Sequence, residues 1–183
     1  MDTKEPISFQ KTSVLFCEPD ADVTFISSDG IHFKIHSEHL TLTSTVGLAR
    51  LPENVSTAGS DPICLSETSD VLEILFQFIE PPPLSRNHRH PSVMDMEPSL
   101  FFRIAEAAEK YIVYGAMGVC SMRMHQIVSE YPVEVLNHCA LHGYPHLADQ
   151  AAEKAISHPI DAVVPKLTAP GLALKYVQSS YIL

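Results

Sequence analysis

Asp22-Val23-Thr24-Phe25-Ile26-Ser27-Ser28-Asp29-Gly30-Ile31-His32-Phe33-Lys34-Ile35-His36 is the stretch whose reading decides the fold. Val23, Phe25 and Ser27 alternate with their neighbours on one face of a strand. Ile31, Phe33 and Ile35 alternate again, leaving His32, Lys34 and His36 on the other face. Between the two runs, Ser28-Asp29-Gly30 supplies turn chemistry, with Gly30 able to take a positive φ. The stretch therefore predicts a β-hairpin with one apolar face.

Upstream, residues 1–13 are polar and predict a flexible N-terminus, and Val14-Leu15-Phe16 is a short apolar run. Downstream, Ser37 to Arg50 reads as two short helical pieces, and the stretch from Leu51 to Pro62 as a loop. Ile63-Cys64-Leu65 is a candidate short buried strand. Asp70-x-x-Glu73 resembles a capping box opening a helix that runs to Ile79, with Leu72, Leu75, Phe76 and Ile79 on one stripe. Residues 80–98 form a Pro-rich loop. A long helix starts at Ser99, with Leu100, Ile104, Ala107, Ala108 and Tyr111 at helical spacing, and a second runs to about Val128. Pro132 opens a third that ends near Gly143, and Leu147 to Ile156 is a fourth. Early strands mixed with helices, then helices only, predict an α+β fold.

This order resembles the BTB/POZ fold, a small mixed sheet flanked by helices. Asp22-Val23-Thr24-Phe25 looks like that family's opening strand, and Ser28 to His36 like its second strand ending in His. His36-x-x-x-Leu40-x-x-x-Ser44 looks like its first helix. Leu65-Ser66-Glu67 with Leu72-x-x-Leu75-x-x-Phe78-Ile79 looks like its next strand and helix, and Ala105-x-x-Ala108-Glu109-Lys110-Tyr111 like the helix after that. The match is collinear from Val14 to Met124 and is most similar to stand-alone BTB proteins of fungi. The resemblance implies a BTB/POZ domain over residues 14–128 and structural roles for Asp22, Phe33, His36, Leu40, Ser44 and Tyr111. Residues 129–183 read as an all-helical extension similar to the start of a BACK region.

The chain departs from the family pattern in three places. Gly47 stands where the family usually has Phe, which makes that core site smaller. Ser37 and Glu38 follow the His where the family commonly has Arg or Lys, so hydrogen bonds from backbone or hydroxyl groups are expected to satisfy Asp22 in place of a cation. The place of the apolar-x-Glu motif found in cullin-binding members reads Val55-Ser56-Thr57, with Leu51-Pro52-Glu53 several residues early.

The formal net charge is −10, from 12 Lys and Arg against 22 Asp and Glu, which disfavours direct contact with nucleic acid or an anionic membrane surface. No run approaches 18 apolar residues, so no membrane span is expected. Four dispersed cysteines without a C-x-x-C pair, and an N-terminus without an apolar targeting core, suggest a reducing compartment, cytoplasmic or nuclear.

Two histidine groups invite a metal reading: His138, His142 and His146, and His32, His36 and His39. Gly143 and Pro145 interrupt the first, and no Cys pair supports zinc, so neither metal nor cofactor is expected. Cys120 falls in an apolar helical pattern, where an inert thiol is the usual case. The phosphate-binding glycine loops and the G-x-S-x-G elbow are absent from the sequence.

The reading is therefore a non-enzymatic module for homo- or hetero-association with protein partners. Ile7, Phe9, Val14, Leu15 and Phe16 are the candidate interface of a homodimer, the alternative being an edge strand closing its own sheet. Two other function classes are alternatives: a substrate adaptor on a cullin scaffold of a ubiquitin ligase, and a small cysteine- or metal-dependent hydrolase.

Overall fold

The computed structural model describes residues 11–43, 61–80 and 90–180. The chain packs as two units: one takes the described residues through Ser92 together with Arg103–Met117, the other Val93–Phe102 and the chain from Gly118. Among the described residues the protein is α+β, with one four-stranded mixed sheet and eight α-helices.

In the first unit, β1 (Lys11–Thr12) lies at the sheet edge, parallel to β3 (Ile31–Ile35). β2 (Val23–Ile26) pairs antiparallel with β3, and β4 (Ile63–Cys64) pairs parallel with β2, giving the order β1-β3-β2-β4. The hairpin forms as its alternation predicts. Val23 faces Ile35 and Phe25 faces Phe33, and all four side chains are buried. Gly30 takes φ +83°, where a Cβ is strained, and lets the chain reverse. The Ser27 hydroxyl accepts from the Ile31 N–H at 2.9 Å and fastens the turn.

Lys11 and Thr12 form a strand without any apolar alternation. Both are polar and exposed, but pairing with β3 uses backbone groups, to which polar side chains are indifferent. The expectation of a buried strand at β4 is corrected: Cys64 is exposed and Ile63 only half-buried, because a two-residue strand at the other edge has little to cover it.

α1 (Ser37–Thr43) follows β3 and buries Leu40. The second helical piece expected up to Arg50, including Ser44 and Gly47, lies outside the described residues, as do the cullin-type positions Leu51 to Thr57. α2 (Ser69–Phe76) buries Val71, Leu72, Leu75 and Phe76. Phe76 meets Phe16, Phe25 and Phe33 with ring centroids 5.8, 5.3 and 5.4 Å apart, in tilted and edge-on geometry. Each such buried ring contributes about 1.5–3 kcal/mol. The capping box does not form. The N-cap is Thr68, without a side-chain cap bond, and Asp70 accepts from Thr68 Oγ1 and from Arg103.

α3 (Pro98–Tyr111) and α4 (Tyr114–Ile127) each begin in one unit and end in the other. In the second unit the Arg123 side chain is buried. It donates to the carbonyls of Val93 and Met96, and its guanidinium lies 4.3 Å from the Phe101 ring centroid. α5 (Pro132–His142) opens on Pro132, whose missing N–H costs nothing there, and ends at Gly143 with φ +80°. The Tyr144 N–H reaches back to the Cys139 carbonyl at 3.0 Å, closing the helix end. α6 (Pro145–Ala155) packs on α5 and buries Leu147, Ala151 and Ala155. α7 (Ile160–Val163), a 3₁₀ turn (Val164–Lys166) and α8 (Leu172–Ser180) complete the described chain. Among the described residues no helix is long and apolar enough to cross a membrane.

Candidate functional site

The N-terminal segment runs along the β3 edge beyond β1. Ser13 N–H donates to His32 O at 2.8 Å, and Lys34 N–H to Phe16 O at 3.0 Å. Between these two bonds the chain bends over residues 14–16. Phe16 turns inward, 4% exposed, against Phe33 at 6.0 Å, and so is not the exposed interface residue that the sequence suggests. Its aromatic surface finds Phe33 and Phe76, partners invisible from the local sequence. Leu15 is half-buried, whereas Val14 is 85% exposed. Ile7 and Phe9 lie outside the described residues. No described strand pairs with the outer side of β1.

Around the hairpin, two carboxylates hold two helix starts. Asp22, just before β2, accepts the Ser37 N–H at 2.8 Å and the Ser37 hydroxyl at 2.6 Å. Asp29, in the turn, does the same to Ser69, at 2.8 and 2.6 Å. Partial burial pushes the Asp22 carboxyl up, but the Ser37 hydroxyl and amide leave it below the usual range. The Ser27 hydroxyl, then that of Ser69, draw Asp29 down to about 2.

Tyr111, at the end of α3, donates its hydroxyl to Glu67, which also receives Lys110 at 2.7 Å. Burial, then the Glu67 carboxylate, pushes Tyr111 up to about 12. Phe33 and Leu40 are core residues, 0% and 1% exposed.

His36 stands between β3 and α1. Its ring Nδ1 lies 2.5 Å from Glu80 Oε1, and its backbone N–H donates to Glu80 Oε2 at 3.2 Å. His39, one helical turn on, places Nδ1 3.0 Å from Glu80 Oε2. The hydrogen bond to Glu80 holds His36 above the usual imidazole range. Glu80, 44 residues from His36, carries no signal in the sequence that links it to the histidines. Its position follows from α2 running back across the sheet.

In the second unit His138 is buried and its ring centroid lies 4.6 Å from that of His142, whereas His146 is exposed in α6, past the break at Gly143. Cys120 is 2% exposed. Of the basic loop, Arg86 to Arg89 lie outside the described residues, and His90 stacks on Phe78 with centroids 5.0 Å apart. Compared with protein-family models and with curated proteins, the chain matches none of either.

Proposed function

We propose that this chain is a BTB/POZ-type protein-association module without enzymatic activity, and that it forms a homodimer through the segment from Ile7 to Val14. The observation that carries the reading is Val14, 85% exposed beside a sheet edge whose outer side no described strand covers. An apolar side chain held in solvent beside a sheet edge is suited to a second strand. Burial of apolar surface and strand pairing then act together, and a stable contact of this kind covers about 1,200–2,000 Å² in total.

Light scattering of the full chain at tens of micromolar tests the proposal. The expected result is a dimer, converted to monomer by Val14→Asp with its helical circular-dichroism signal unchanged. Val14 suits this test because it contributes almost nothing to the core. A wild-type chain at monomer mass, or a Val14→Asp chain that remains dimeric, rejects this interface.

A further inference from the structure

We propose that His36, His39 and Glu80 form a binding site for a divalent transition-metal ion of the zinc class. The donor set is two imidazoles and one carboxylate, which suits Zn²⁺ and similar ions. One donor atom from each residue lies within 4.8 Å of the other two. His36 precedes α1 and His39 sits in its first turn, so the spacing of three brings the rings together, 5.4 Å between centroids and nearly perpendicular. Glu80 enters from beyond α2, fixed by its N–H to the Phe76 carbonyl at 2.8 Å.

Three features point to a cation more than to a simple hydrogen-bonded cluster. Both rings turn the same nitrogen, Nδ1, toward Glu80, at 2.5 and 3.0 Å. Both have an exposed carboxylate near the other nitrogen, beyond hydrogen-bond length but close enough to swing onto it: His36 Nε2 lies 3.7 Å from Asp20 and His39 Nε2 3.7 Å from Glu38. An outer carboxylate on the far nitrogen is how metal-bound histidines are oriented and made more basic. Finally, His39 Nδ1 is buried yet makes no hydrogen bond among the described residues, although Glu80 Oε2 is near. A buried ring nitrogen off its hydrogen-bonding axis is costly unless something else satisfies it.

The geometry needs little change. Donors on a tetrahedral zinc lie roughly 3.3 Å apart, so the Glu80 carboxylate retreats by about 1 Å from His36. The three side chains are 20%, 22% and 14% exposed, which leaves a solvent-facing side where water completes the coordination. The ion then ties the start of α1 to the chain beyond α2.

The experiment is a Zn²⁺ titration of the chelator-stripped full chain by calorimetry, with ring-nitrogen NMR of the histidines. About one equivalent is expected to bind, with His36 and His39 signals moving as Nδ1 ligands and the melting temperature rising. His39→Gln should weaken binding at least tenfold with the fold intact, since its Nδ1 holds no hydrogen bond. Asp20→Asn, near the far nitrogen of His36 and not a ligand, should weaken it by less than about tenfold. His142→Gln should leave affinity unchanged and so excludes the other histidine pair. Absence of binding overturns the proposal, as does binding unaffected by His39→Gln or sensitive to His142→Gln.

Discussion

Asp29 grips Ser69 through both carboxylate oxygens, one on the backbone N–H and one on the hydroxyl, at 2.8 and 2.6 Å. Ser69 is the first residue of α2, so the hairpin turn itself supplies the helix with the N-terminal acceptor that Thr68 does not. Asp22 holds Ser37, the first residue of α1, with the same two distances. One hairpin thus anchors two helix starts.

Removing this grip should act like removing a helix cap. Asp29→Ala is expected to cost about 1 kcal/mol, the lower part of the capping range, because the pair is exposed to solvent. In a double-mutant cycle, Ser69→Ala added to Asp29→Ala should cost little more. Independent, additive losses in urea melts would show that the two groups are not coupled.

The same carboxylate should make stability depend on acid. Its folded value, about 2, lies below the ordinary 3.8. Its contribution is therefore complete above about 4 and fades as pH falls toward 2. The gap in urea midpoint between wild type and Asp29→Asn should narrow over that window. A gap that stays constant from pH 5 to pH 2 contradicts the assignment.

Asp22→Ala should be far milder than loss of a buried ion-pair partner, which costs about 3–5 kcal/mol. Ser37 satisfies Asp22 through a hydroxyl and an amide at the surface, so a cost of about 1 kcal/mol is expected. Outright unfolding of the variant would refute this account.

Arg123 presents the opposite case. Its buried guanidinium serves the carbonyls of Val93 and Met96 at once and stacks on Phe101. Arg123→Met should cost about 2–4 kcal/mol by stranding those carbonyls. Arg123→Lys should rescue little, since one ammonium lacks the planar fork and the stacking face. A lysine variant that melts like wild type would disprove the two-carbonyl role.

Tyr111→Phe removes one donor to Glu67 but leaves Lys110 in place at 2.7 Å. A loss of about 1 kcal/mol is expected. Glu67→Gln should cost more, because it weakens both contacts; the reverse order in thermal melts would contradict this network.

The sequence by itself determined the elements whose signals are local. Alternation placed Val23, Phe25, Phe33 and Ile35 on the buried face, and the Gly30 turn closed the hairpin. Pro132 and Gly143 marked α5 because proline and glycine constrain the backbone wherever they stand. The expectation that Ser37 lacks a cation for Asp22 was also readable, since it turns on residue type alone. Tertiary structure decided what depends on distant groups. Phe16 reads as an exposed apolar residue until α2 brings Phe76 to it. Asp70 and Glu73 read as a capping box, yet Asp29 reaches Ser69 first from another element. Glu80 becomes the third member of a histidine cluster only through chain reversal, 44 residues from His36. Such pairings have no fixed spacing along the chain: packing the α2 stripe onto the sheet sets them, and local pattern cannot report them.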